Sequence, residues 1–356
     1  MPTFPYVVIN AFTKTSFGGN PAAIVLLPPA SLSPTTTTTT TQPVLDTPTM
    51  IKITKSFSLP ITVFLSPSAA STHDPSGGGD STKLKNDDDD DDDGNARTYD
   101  IRFFVNDYAP LICGHGMFAT VKAICTRAFA GIETSASANP EVRFRTASGL
   151  VVRAAAVAPL PLPLPSPSTT TTGDEEDGES YAIELPLNAC KEMTTGVETD
   201  RVRSVVASAL GKDPEDLGVR YIARGGGKMS DYLMVVLDES ETLEGKDIDS
   251  LALRDLAPFI VISLSHATPD KQTAFVSRVF APLNGLNEDH VCGSAHTLML
   301  PYYATQKDSG VVDQQEAYVR QVSPRGGELW VTVDAVRGVM RLRGNAKLFA
   351  KGELTF

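Results

Sequence analysis

The chain has 356 residues, 41% of them apolar, which is enough for two domains with buried interiors. Its net charge of -12 excludes the basic surface that a phosphate backbone would need, so no nucleic-acid partner is expected. The opening MPTFPYVVINAF lacks a signal-peptide pattern and no apolar stretch nears the roughly 20 residues that span a bilayer, so the expectation is a soluble, cytoplasmic protein with no membrane partner.

In chain order, FPYVVINAF and AAIVLL read as strands joined by the tight loop Gly18-Gly19-Asn20-Pro21. Residues 28–49, with threonine from Thr35 to Thr41, are low complexity and are expected to be a flexible insertion. Met50 to Leu59 has helical spacing and Pro60 ends it before the strand ITVFL. A second insertion, 66–96, holds His73 and the seven aspartates Asp87 to Asp93. The strand TYDIRFFV then leads to Leu-Ile-Cys113-Gly114-His115-Gly116 and a helix with apolar side chains at Met117, Phe118, Val121, Ile124, Cys125 and Phe129. Cys125 lies on that stripe as a core residue.

EVRFRTA and LVVRAAAV close a first half over 1–158, and the Pro-, Thr- and acid-rich run 159–179 reads as a linker. The second half, 180–340, runs SYAIELPL, the helix DRVRSVVASALG, GVRYIA, the loop Arg224 to Asp231, DYLMVVLD, a short helix near Leu251 to Ala257, FIVISLS with His266 at its end, and AFVSRVFA. A second cysteine motif follows, Glu288-Asp289-His290-Val291-Cys292-Gly293-Ser294, again before a helical run. The last segments, VMRLRG and AKLFAKGELTF, read as a terminal hairpin, with 341–356 able to return to the first half. No Gly-x-Gly-x-x-Gly follows a strand, and four cysteines are too few for a disulfide scaffold.

The two cysteine motifs are echoes: Arg-x-Phe, a loop, Cys-Gly, then an apolar helix. A helix start carries free N–H groups and the positive dipole end, so it favours a thiolate and a substrate carboxylate beside it. Two thiols facing each other across one carbon suit a two-base racemase or epimerase, with one removing a proton and the other returning it.

The stretches VINAFTKTSFGGNPAAIVLL, IRFFVNDYAPLICGHGMFAT, NEDHVCGSAHTLMLPYY and QVSPRGGELWV resemble the phenazine-biosynthesis-like (PhzF-type) isomerase family. The resemblance implies an α+β fold like that of diaminopimelate epimerase and proline racemase. That fold has two pseudo-symmetric halves, each a curved, mostly antiparallel sheet around a central helix, with the site in the cleft between them. It also suggests a homodimer; the two-thiol chemistry needs no cofactor, no metal is expected, and the expected partner is a small-molecule carboxylate or amino-acid substrate.

Two departures from that family stand out. Where its members read Leu-Ser-Glu-Thr-Ala-Phe, this chain reads Leu59-Pro60-Ile61-Thr62-Val63-Phe64, so Ile61 replaces the acid/base glutamate. Cys292 replaces the threonine of Glu-Asp-Pro-x-Thr-Gly-Ser-Ala, and Cys113-Gly114-His115-Gly116 resembles the Cys-Gly-His-Gly of proline racemases. The expected catalytic set is Cys113, Cys292, Asp289 and His115, with Asn20, Gly114, Gly116, Gly293 and Ser294 binding substrate.

Three other readings stay open. One is a double-bond isomerase working through Asp289 and His115; another is an inactive, ligand-binding relative. The third, a zinc site from Cys113-x-His115 and Cys292-x-x-x-His296, matches no common zinc spacing. Asp289 also suits a helix N-cap, and His296, one turn into its helix, suits packing.

Overall fold

Alternate burial is clearest in β5 (Glu141–Thr146) and β6 (Val151–Val157), where every second side chain turns inward, as a pleated strand with one wet face requires. Strands β2 (Asn20–Leu26), β3 (Ile61–Pro67) and β12 (Phe275–Ala281) are instead buried almost throughout, because they are covered on both faces. The computed structural model describes residues 3–29, 31–32, 45–68, 96–129, 132, 141–159, 180–194, 196–268 and 272–356. Most of the two expected insertions, His73 and the expected linker lie outside the described residues.

Among the described residues the architecture is mixed α/β, with 17 strands in one large curved sheet and few helices. From one side, β1 (Thr3–Ala11) pairs antiparallel with β2, β2 parallel with β3, β3 antiparallel with β4 (Arg97–Phe104) and β4 parallel with β5. Then β5, β6 and β7 (Ser180–Pro186) pair antiparallel in turn. From the other side the same order of senses recurs. Strand β9 (Val219–Gly225) is antiparallel to β10 (Tyr232–Leu237), β10 parallel to β11 (Val261–Ala267), β11 antiparallel to β12 and β12 parallel to β14 (Glu316–Gln321). Strands β14, β15 (Gly327–Asp334) and β16 (Val339–Gly344) then pair antiparallel, and β16 joins β7 at the seam. The parallel pairs need crossovers, and two of them contain the central helices α2 (Gly114–Cys125) and α4 (Gly293–Thr305).

Three expectations are corrected. The helix α1 (Thr47–Phe57) starts before Met50, because the Asp46 carboxylate accepts the Thr49 N–H at 2.9 Å and caps it. Leu32 and Leu45 are buried beside Met50, Ile53 and Phe64, so the ends of the first low-complexity run are anchored by apolar contact. The last two runs do not form a hairpin: β16 lies between β15 and β7, while β17 (Ala346–Thr355) pairs with β1. The buried interior also runs across the seam. One cluster takes in Met117 and Phe118 of α2, Ala295 and Met299 of α4, and strands on both sides of the seam, and two smaller clusters flank it.

Both central helices are buried nearly all round, which fits their apolar composition. Pro301 lies inside α4, where it removes the hydrogen bond that Thr297 O would otherwise accept. The structure repairs this from outside the helix: the Asn188 N–H donates to Thr297 O at 3.2 Å and Asn188 Nδ2 to Thr297 Oγ1 at 2.9 Å. The helix therefore continues through its proline with its backbone satisfied.

Candidate functional site

The two helix starts meet. A Cβ built on Gly114 would lie 2.9 Å from Gly293 Cα, and one built on Gly293 would lie 3.1 Å from Gly114 Cα. No side chain fits between them, so the Cys-Gly of each motif is a packing requirement as well as a turn. Cys113 and Cys292 are the N-cap residues of α2 and α4, both extended in backbone, and neither side chain caps its helix. The thiols are left for other contacts.

Their surroundings differ. Cys113 Sγ lies 3.3 Å from where a Gly116 Cβ would sit, a position also bordered by Val63 and Phe103, and 3.5 Å from His115 Nδ1. Burial, against the support of the Gly116 and His115 backbone, pushes this thiol up to about 12, with the Asp289 charge adding to the rise. Cys292 has polar neighbours: Ser294 Oγ lies 3.4 Å from the sulfur, and its own N–H donates to Gln321 Oε1 at 2.8 Å. Its thiol is also raised well above the ordinary range, by burial first and by Asp289 second.

Asp289 is the last residue of the short strand β13 (Leu286–Asp289), not of a loop. On that strand Glu288 faces Arg278 of β12 in a two-pronged pair at 2.7 and 2.6 Å, so alternation sends the next carboxylate to the opposite face. There it accepts from Asn20 Nδ2 at 2.5 Å rather than capping α4. The same Asn20 nitrogen donates to Val291 O at 2.9 Å. Asn20 thus spends its donors on Asp289 and Val291 O and holds the carboxylate in place. Its Oδ1 is buried without a hydrogen-bond partner.

The negative charge of Asp289 acts on Cys113, His115, His290, Cys292 and His296. His115 is 5% exposed, its Nε2 has no partner, and burial lowers its affinity for a proton, so the ring is neutral at pH 7. His296 is wholly buried, donates from Nδ1 to Cys292 O at 2.7 Å and stacks on Phe275; burial holds it down to about 4. It serves packing. Ile61 is wholly buried opposite Ala22 in the β2–β3 ladder. Among the described residues no group of three or more His, Cys, Asp or Glu is arranged to hold a metal ion, and no helix is long and apolar enough to cross a membrane.

Three further contributors are not among the site residues expected from the sequence, although Gln321 and Arg325 lie within the family-like stretch QVSPRGGELWV. Gln321 receives the Cys292 N–H and donates through Nε2 to Asp289 O. Arg325 donates to Gly19 O at 2.8 Å and Gly18 O at 3.0 Å, tying the first loop to the PRGG turn. Tyr232, at the start of β10, places its hydroxyl 3.0 Å from Ser294 Oγ. Each sits in an ordinary strand or turn and acquires meaning only from partners far away in sequence.

The fold is that of a mixed α/β protein similar to PhzF-family and racemase structures. A PhzF-family phenazine biosynthesis protein of Enterococcus faecalis superposes with a TM-score of 0.64 at 24% identity, covering 99% of this chain and 100% of that one. A probable proline racemase of Agrobacterium radiobacter, with bound carbonate, gives 0.59 at 12% identity, over 99% and 93%. Residues 9–352 match the family described as phenazine biosynthesis-like protein, and the chain belongs to that family. An uncharacterized isomerase of Pseudomonas aeruginosa is 31% identical over 179 residues, which are 50% of this chain and 58% of that protein.

Proposed function

We propose that the protein is a cofactor-independent isomerase that moves a proton at the α-carbon of a small carboxylate or amino acid, in a cleft between two pseudo-symmetric halves. The repeated order of parallel and antiparallel pairings supports the two halves. The names isomerase and proline racemase borne by similar proteins support the reaction class.

The observation that supports the reading is the contact of the two helix starts at Gly114 and Gly293, each of which carries a cysteine, Cys113 or Cys292, at its N-cap. In the proposed reaction, Cys292 gives its S–H proton to Asp289. Its thiolate then takes the α-proton of the substrate: the C–H bond breaks, an S–H bond forms, and the electron pair passes into the substrate carboxylate as an enediolate. Cys113, kept protonated by its apolar surroundings, delivers its proton to the opposite face, and the stereocentre inverts. The substrate carboxylate is received by the backbone N–H groups of Gly114, Gly116, Gly293 and Ser294 at the two helix starts, where the dipoles favour an anion.

Solvent-deuterium incorporation into a panel of amino and hydroxy acids tests this. The wild type labels the α-carbon of its substrate; Cys113→Ser and Cys292→Ser lose the labelling while keeping their circular dichroism. Labelling that persists in both variants refutes the two-thiol reaction. A second reading, double-bond isomerisation through Asp289 and His115, draws on the bare Nε2 of a neutral His115. It requires that Cys292→Thr stay active and that Asp289→Asn fail.

A further inference from the structure

Around Cys292 the hydrogen bonds form a line whose direction follows from the chemistry of its members. Tyr232 Oη lies 3.0 Å from Ser294 Oγ and Ser294 Oγ lies 3.4 Å from Cys292 Sγ. A thiolate accepts only, so once Cys292 is ionised the Ser294 hydroxyl must donate to its sulfur. With its one hydrogen used, the Ser294 oxygen accepts from Tyr232, and a phenol is a better donor than an alcohol. Both donors then point toward the sulfur, and a chain ordered like this polarises from link to link.

We infer that Tyr232 is a positioning residue of the site: by donating to Ser294 it commits the Ser294 hydroxyl to the Cys292 sulfur, so that the thiolate form has a hydrogen bond waiting for it. The charged or titratable groups facing this line are Asp289 from β13, and Asp231 and Tyr108 near the phenol. The inference rests on Cys292 being the proton carrier, but its test needs no substrate and so fails or succeeds separately from the deuterium experiment.

The test is a pH titration of the full-length protein carrying 13Cβ-labelled cysteine, read by nuclear magnetic resonance, with the Cys292 signal assigned by its loss in Cys292→Ser. Ser294→Ala is expected to raise the Cys292 midpoint by about one pH unit, the scale of one hydrogen bond to a charged group. Tyr232→Phe is expected to raise it by roughly a few tenths of a unit, the scale of a second link in a chain. The double variant should match Ser294→Ala alone, because Tyr232 acts only through Ser294. A Tyr232→Phe midpoint that is unchanged or lowered overturns the inference. So does additivity in the double variant, or a wild-type signal that never titrates before the protein unfolds. Tyr232→Met supplies the same comparison if the Phe variant does not fold.

Discussion

The contact between Gly114 and Gly293 makes a quantitative demand on any side chain placed there. In Gly114→Ala the new methyl would sit 2.9 Å from Gly293 Cα, 3.2 Å from its carbonyl carbon and 3.3 Å from Ser294 N. All three are backbone atoms at a helix start, and none can rotate away. Restoring ordinary contact requires the helix starts to part by about half an ångström, and forced overpacking of this kind costs about 1–3 kcal/mol. The helix preference of alanine over glycine returns at most about 1 kcal/mol. In Gly293→Ala the closest atom is again backbone, at 3.1 Å, but the next is a Leu342 methyl at 3.2 Å, which can yield. Differential scanning calorimetry should therefore show Gly114→Ala less stable than wild type by about 2–6 °C, at roughly 2–4 °C per kcal/mol for a large domain, with Gly293→Ala falling less. Because both thiols ride on these starts, proton exchange should fall further than stability does. Two variants that melt like the wild type, or the reverse order, would refute the claim that steric contact sets the glycines.

Other consequences follow from the same groups. Asp289→Asn removes a charge that raises both thiols, so iodoacetamide should label Cys113 and Cys292 faster at pH 8 while deuterium exchange is lost; slower labelling would contradict the placement of Asp289. Asn20→Ala strips a buried carboxylate of its donor and leaves Val291 O bare, and should cost about 2–4 kcal/mol in urea unfolding. Cys113 titrates in the unfolded chain at its ordinary 9.0 but at about 12 when folded, so between these values the unfolded state binds fewer protons. The urea midpoint should then fall as pH rises from 9, and should fall less steeply in Cys113→Ala. For His296 the sign is opposite: 6.5 unfolded and about 4 folded, so stability is full above pH 6.5 and drains as pH drops toward 4, which acid-dependent urea melts can follow.

Most strands were legible because alternation or a continuous apolar run marks them, as in β5 and β12. Strands β8 (Cys190–Glu192) and β13 were not, since three or four residues carry no readable period. The partner of β17 could not be read because pairing across the whole chain leaves no local trace. At the site, the Cys-Gly pairs announced themselves through their helix-start chemistry. The bond from Asn20 to Asp289 could not be read because the two are 269 residues apart. Tyr232 read as one more aromatic at a strand start, and only its distance to Ser294 distinguishes it.

The antiparallel pairing of β1 with β17 also has a mechanical side. Thr3 lies opposite Thr355, so both ends of the chain leave the ladder at one corner. Tension applied to the two ends would open that ladder like a zipper, loading its hydrogen bonds one after another instead of shearing them together. The molecule should yield at low force, with the seam between β1 and β17 giving way before the Gly114–Gly293 junction feels any load.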